Sequence, residues 1–267
     1  MRNSNNLTII KLGGSAITHK GLSPPQTKNN LITRISKELK VYQNQLIVVL
    51  GGGAYGHQAA HSYGFGNPIT SKKQLLAGIP MIRHNMSILS TIVEEAMNRE
   101  NIPAVVFPPF SFVILNKGNI SSFPTNIIEK SLNSNNVVII HGDVCFDTSL
   151  GASILSGDTI TVYLANKLKA KNVFIGTNVD GVYDDNPQKN PDAKHIPIVD
   201  NSNIDTVIKE TGTSMATDVT GGMNRKIREL VSLSDKGIRI VIFNLLIPGR
   251  LEKLLIGETV ICTEIQL

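Results

Sequence analysis

Seven short, β-branched apolar runs recur along the whole chain with helical patterns between them, and this alternation limits the possible folds more than any other feature. The runs are Leu7–Leu12, Leu46–Leu50, Ala104–Phe107, Val137–His141, Asn172–Gly176, Ile238–Phe243 and Thr259–Ile265. Their near-continuous hydrophobicity marks strands covered on both faces. Between them, Pro80–Arg99 carries Ile82, Met86, Leu89, Val93 and Ala96 at helical spacing. Gln26–Val41 places Leu31, Ile35 and Leu39 on one face behind Pro24-Pro25, and Asp158–Leu168 opens with an acidic residue suited to a helix N-terminus. Strand–helix alternation of this kind predicts a three-layer α/β/α sandwich with a mainly parallel central sheet. Phe112–Phe123 reads instead as a hairpin turning at Asn116-Lys117-Gly118. No linker or repeat divides the 267 residues, so a single domain of two lobes meeting near residues 165–175 is expected.

Composition narrows the function classes. The chain carries 26 Lys+Arg against 21 Asp+Glu, a net charge of +5, with 5% aromatic residues. The basic residues are dispersed and few aromatics are present to stack bases, so small anionic substrates fit better than nucleic acid. No apolar run is long enough to span a membrane, and the N-terminus has no signal-peptide pattern. Cys145 and Cys262 cannot build a disulfide framework or a cysteine zinc site, so a reducing, cytoplasmic setting is expected. The histidines show no HxxxH or HExxH spacing, and no metal ligands are assigned.

Glycine-rich segments at the ends of strands carry the chemistry. Lys11-Leu12-Gly13-Gly14-Ser15 closes the first run, where amides backed by a lysine suit an anion, although a tight turn explains the glycines equally well. Gly51-Gly52-Gly53-Ala54-Tyr55-Gly56-His57 follows the second run, with His57 expected in the first turn of a helix. Three glycines there are entropically costly unless a ligand needs the backbone. Ser156-Gly157-Asp158 starts a helix, where Asp158 could serve the helix dipole or a site. Thr177–Tyr183 has turn chemistry. Asp218–Lys226 again puts glycines before a helix, with a lysine near its start that an intervening anion would favour. The three glycine-rich edges outline a site for several phosphates.

At these residues the chain resembles the amino acid kinase superfamily and, within it, the isopentenyl phosphate kinases. The superfamily signals are KLGGS, GGG, SGD, TNVDGVYDDNP and DVTGGM; the narrower branch rests on ITHK ending at Lys20, GGGAYGH ending at His57, and HGDV at His141–Val144. The resemblance implies ATP with Mg²⁺ as the phosphoryl donor and isopentenyl phosphate as the acceptor, in isoprenoid biosynthesis by the alternative mevalonate route, in a homodimer. It implies an acceptor lobe over about residues 1–170 and a nucleotide lobe over about 171–267. Lys11 and Lys226 would contact the transferring phosphate, Asp158 would hold both lysines, and Lys20 would stabilise the transition state. Gly13, Gly14 and Ser15 would line the β- and γ-phosphates and Gly53 the transferred group. Gly52, His57, Gly142 and Gly157 would meet the acceptor phosphate. Thr177, Asn178, Asp180, Tyr183, Asp184 and Pro187 would border the nucleotide, with Gly222 near its phosphates. Three departures stand out: Asn178 where Asp is usual, His19 where Asp is common, and Arg225, which would add a cation near ATP, where Gly often precedes the lysine.

The implied reaction has a simple electrostatic logic. A phosphate monoester has a second pKa of about 6, so its oxygen is already an ionised nucleophile near neutrality and no general base is required. The obstacle is repulsion, on the order of 4 kcal/mol for unit charges 4 Å apart at an effective dielectric of 20. Lys11, Lys20, Lys226, His57, Mg²⁺ and the glycine amides would offset it. Ile79, Ile82 and Met86 are candidates for the wall of an apolar tail pocket. Fosfomycin kinases are similar in the GGGAYGH element and give a second reading, and a catalytically silent nucleotide-binding regulator a third.

Overall fold

The computed structural model describes residues 3–213, 222–233 and 237–266. In chain order the first elements are β1 (Asn3–Leu12), α1 (Gly14–Ile17), α2 (Asn29–Leu39), β2 (Asn44–Leu50), α3 (Gly53–Ser62) and α4 (Lys72–Arg99). Next come β3 (Ala104–Val106), β4 (Ile114–Asn116), β5 (Asn119–Ser122), α5 (Asn126–Asn133), β6 (Val137–His141), β7 (Asp143–Asp147) and β8 (Gly151–Leu155). The chain continues through α6 (Gly157–Lys167), β9 (Asn172–Thr177), β10 (Val182–Tyr183), β11 (His195–Ile196) and β12 (Ile198–Asp200). It ends with α7 (Ile204–Thr213), α8 (Gly222–Val231), β13 (Arg239–Asn244), α9 (Arg250–Leu255) and β14 (Cys262–Gln266).

All seven apolar runs enter one eight-stranded sheet of order β12-β14-β13-β9-β1-β2-β6-β3, parallel except at the β13–β14 pair. The eighth member, β12, has three residues and no periodic signal to announce it. Alternation along the strands explains why the runs are almost wholly apolar. Ile10 and Leu12 of β1, with Val48 and Leu50 of β2, pack toward α2, α3, α4 and α9. Ile9, Ile47 and Val49 point the other way, toward α5, α6 and α8. Both faces are covered, so polar alternation never develops. The three-layer sandwich expected from the sequence is the observed fold.

Strand β1 lies between β2 and β9, so successive connections leave it in opposite directions. In a parallel sheet such a reversal opens a crevice at the carboxyl ends of the strands. The loops after β1, β2, β6 and β9 all reach that edge. A separate sheet of order β5-β4-β7-β8 stands beside it. The β4–β5 hairpin turns at Lys117 and Gly118, both with positive φ, as the sequence predicted.

The longest helix departs from expectation. α4 begins at Lys72 and runs through Pro80, whereas the sequence placed its start at the proline. Proline suits a first turn and forfeits a backbone hydrogen bond inside a helix. Here Ser71 supplies the cap, its Oγ accepting from the Gln74 amide at 3.2 Å. Packing holds the extra turns, for Gly78 fits so closely that a Cβ there would stand 2.8 Å from Tyr63.

Candidate active site

Two glycine loops cross in contact at the sheet edge. Gly13 N–H donates to Gly176 O at 2.9 Å and Gly51 N–H to Leu12 O at 2.9 Å, which fixes the chain as it leaves β1 and β2. A Cβ on Gly14 would lie 2.5 Å from Gly53 Cα, and one on Gly51 would lie 2.6 Å from Gly14 N. Gly53 also has φ +49, which disfavours a side chain. Thr18, 1% exposed, clamps the crossing: its hydroxyl donates to Gly14 O at 2.8 Å and accepts from Ala54 N–H at 3.1 Å. The glycines therefore have a packing reason of their own, and their conformational cost does not by itself demand a ligand. Close contact brings the backbone of Gly14, Gly51 and Gly53 to one place. A Gly14→Ala variant is expected to lose about 3 kcal/mol or more, since the clash is with backbone that cannot rotate away. Thermal unfolding within a degree of the wild type would contradict this packing account.

Beside the crossing, three charges from three elements meet. Asp158 Oδ1 accepts from Lys11 Nζ at 2.7 Å and from Lys226 Nζ at 2.8 Å, and its Oδ2 from Lys226 Nζ at 3.0 Å. Ser156 caps α6 by accepting from Thr159 N–H at 3.0 Å, so Asp158 is released from capping to bind the lysines. The side chains of Lys11, Asp158 and Lys226 are 7, 17 and 14% exposed. Burial, then the charge of Lys226, lowers Lys11 to about 8 against the pull of Asp158. Burial also opposes ionisation of the other two, and the ion pairs win: Asp158 is held well below the carboxylate range and Lys226 above the usual lysine value. The cluster carries a net positive charge in a nearly dry site, where charge acts strongly.

The acceptor-side candidates are less uniformly gathered. Gly52 caps α3 and His57 is the fifth residue of that helix, half-buried and just past the first turn where the sequence placed it. Gly142 donates its N–H to Leu50 O at 2.9 Å, so that amide is spent within the fold. Its contribution is space, because a Cβ would lie 3.2 Å from Gly157 N. Gly157 opens α6 next to Lys11, whose Cε is 3.4 Å from where a Cβ would be. Lys20 is exposed on the loop after α1 and forms no ion pair with Asp158. Ile82 and Met86 are each 1% exposed and lie in the core beneath α3, not on an open wall. Met86 Sδ is 3.7 Å from a Cβ built on Gly52 and 3.2 Å from one on Gly56. Met86→Ala is therefore expected to open space directly under this loop and admit longer prenyl phosphates, at a stability loss of about 2–5 kcal/mol. Unchanged chain-length preference would put the tail elsewhere.

On the other side, Thr177 ends β9 with its hydroxyl donating to Val179 O at 2.8 Å, and half-buried Asn178 follows. Asp180 accepts from Arg250 Nη1 at 2.5 Å and Asn244 Nδ2 at 3.1 Å, which outweighs burial and lowers its pKa. Tyr183 meets His195 edge-on at 5.3 Å, Asp184 Oδ1 accepts from Lys194 N–H at 2.7 Å, and Pro187 is half-buried. The two carboxylates are thus used first to shape the loop. Arg225 pairs with Glu229, one turn on in the same helix, at 2.8 Å. Gly222 begins α8, while residues 218–221 of the DVTGGM motif lie outside the described residues.

A family model described as the amino acid kinase family matches residues 6–244. The chain belongs to the amino acid kinase family. Among its relatives, an isopentenyl phosphate kinase of Methanothermobacter thermautotrophicus is 36% identical over 97% of this chain and 98% of that protein. Another isopentenyl phosphate kinase, from Methanocaldococcus jannaschii, is 36% identical over 94% of this chain and 96% of that protein. A crystal structure of an isopentenyl phosphate kinase superposes with a TM-score of 0.85 at 32% identity, covering 98% of this chain and all of that one.

For this amino acid kinase, sequence reasoning missed Thr18, Arg83 and Arg250. Thr18 carries no signal, being one hydroxyl in an ordinary stretch. Arg83 sits in a helix read for its apolar stripe, and its partner Asp143 is 60 residues away. No group of three histidine, cysteine or acidic side chains converges among the described residues, so the protein builds no metal cage there.

Proposed function

We propose that this kinase transfers the γ-phosphoryl group of ATP to the phosphate of isopentenyl phosphate, giving isopentenyl diphosphate and ADP. The observation that carries the transfer is the Lys11–Asp158–Lys226 cluster set against the crossed glycine amides. The full-length likeness to proteins named isopentenyl phosphate kinases supplies the acceptor.

An acceptor phosphate oxygen forms the new bond to the γ-phosphorus as the bond to the ADP oxygen breaks. The amides of Gly14, Ser15 and Gly53 and the ammonium of Lys11 bind the donor phosphates, and Lys226 stabilises the transferring group. Gly52, Gly157 and His57 hold the acceptor, and a protonated His57 adds positive charge. Lys20 stabilises the transition state. These groups position and neutralise, and none needs to remove a proton. Mg²⁺, when bound, would neutralise part of the phosphate charge beside Lys11 and Lys226. A cytoplasmic homodimer acting in isoprenoid biosynthesis is part of this reading. The unpaired Cys145 and Cys262 support the reducing compartment, and the dimer follows from the resemblance.

The activity is expected to be bell-shaped in pH. Lys11 is a cation below its pKa of about 8 and neutral above it, so kcat/KM for ATP should fall as pH rises past about 8. The acceptor gains a proton below about pH 6, which blunts the nucleophile. A Lys11→Arg variant that keeps the wild-type alkaline limb would contradict the assignment. The function itself is tested by ADP release with isopentenyl phosphate, fosfomycin and glutamate as acceptors. Turnover of isopentenyl phosphate supports it, and turnover of another acceptor alone overturns it.

A further inference from the structure

Asp143 is a carboxylate with no exposed surface at the corner between β6 and β7. Its Oδ2 accepts from Arg83 Nη1 of α4 at 2.6 Å and from the Phe110 amide at 3.3 Å, and its Oδ1 accepts from the Val144 amide at 2.9 Å. Arg83 also lies 5.7 Å from the centre of the Phe110 ring and reaches Ser87 Oγ at 3.4 Å. Three separate segments are thereby tied to one buried charge. His141, fully buried beside it, places Nδ1 3.0 Å from Gly142 O and 3.8 Å from Asp143 Oδ2. No hydrogen-bond partner for its Nε2 is found among the described residues.

We propose, resting on the function above, that Arg83 and Asp143 are positioning residues for the acceptor phosphate, acting through the His141–Gly142 corner. The corner is bonded on one side to the end of β2, because Gly142 N–H donates to Leu50 O immediately before Gly51-Gly52-Gly53. On its other side it abuts the first amide of α6, with only the room a missing Cβ leaves between Gly142 and Gly157 N. Residues 141–143 therefore set the gap between the Gly52 and Gly157 amides. The ion pair sets the corner by anchoring it to α4, whose Met86, one turn beyond Arg83, supports Gly52 and Gly56 from below. Among the described residues neither Arg83 nor Asp143 forms a hydrogen bond or ion pair with the 177–187 segment or with Lys11, Asp158 or Lys226, and the corner's direct contacts are with the strand end and helix start that present Gly52 and Gly157. A buried ion pair adds little net stability, since loss of hydration offsets the attraction. Asp143 shows that penalty, with burial raising its pKa to about 7 despite Arg83. Its value at this place is geometric.

The test compares wild type, Arg83→Met, Asp143→Asn and the double variant Arg83→Met/Asp143→Leu, which removes both charges at similar volume. KM for isopentenyl phosphate, KM for ATP, kcat and melting temperature are measured for each. Misplacement by about 1 Å can cost 100-fold, so acceptor KM is expected to rise about 10- to 100-fold. KM for ATP should stay within about twofold, and the double variant should retain the wild-type melting temperature while still binding acceptor poorly. A double variant with wild-type acceptor KM overturns the proposal. So does a parallel rise of both KM values that tracks lost stability. Wild-type protein inactive on isopentenyl phosphate would instead bring down the function reading, and this proposal with it.

Discussion

Replacing Asp158 by alanine is expected to abolish measurable turnover and to remove about 3–5 kcal/mol of stability, the range for breaking a buried ion pair on one side. The variant leaves Lys11 and Lys226 facing each other with no counter-charge. Lys11 is already lowered to about 8 by burial and by Lys226, and Asp158 is what holds it up. Without that carboxylate its pKa falls further, so at neutral pH the site loses a cation as well as an anion. One preorganised group at a transition state contributes about 10²–10³ in kcat, and losing the set that Asp158 organises removes at least that much. Measured kcat and denaturant unfolding decide it. A variant within tenfold of wild-type kcat, unfolding at the same denaturant concentration, would mean that the cluster is not the centre of the reaction.

His57→Gln should lower kcat/KM for isopentenyl phosphate by about 10²–10³ while leaving KM for ATP within about twofold. His57 projects from α3, whose first residues approach the β1 loop, and the proposed function assigns it to the acceptor phosphate. Glutamine keeps a hydrogen-bonding side chain and cannot carry the positive charge, so the Gln and Ala variants together separate hydrogen bonding from charge. Equal damage in both assigns the effect to charge. A near-normal Gln variant assigns it to hydrogen bonding, and normal turnover in both removes His57 from the acceptor site.

Apolar runs alternating with helical patterns were enough to identify seven of the eight strands of the main sheet. The strands are buried on both faces, so each appears as an apolar run, and the residues that follow Leu12 and Leu50 announce the sheet edge by being glycine. Sequence also marked Lys226 as a lysine disfavoured near a helix start, left Asp158 divided between the helix dipole and a site, and joined both to Lys11 only through the family resemblance. It gave no sign that Gly14, Gly51 and Gly53 press on one another, because that contact joins loops from different strands. Pro80 misled for a local reason: its missing N–H favours a helix start, and only packing at Gly78 shows that the helix began earlier. That Lys20 is exposed and that Arg225 pairs with Glu229 both depend on neighbours that spacing does not reveal.

The chain's own pattern thus determined the layers, the parallel sheet and the edge at which anions can bind, since these follow from short-range periodicity and backbone chemistry. Which charges meet is decided in three dimensions: Lys226 reaches Asp158 across 68 residues, a pairing the sequence suggested only through the family resemblance, and Arg83 reaches Asp143 across 60, a pairing it did not suggest at all. Electrostatic energy depends on distance and burial in space, and neither is encoded by separation along the chain.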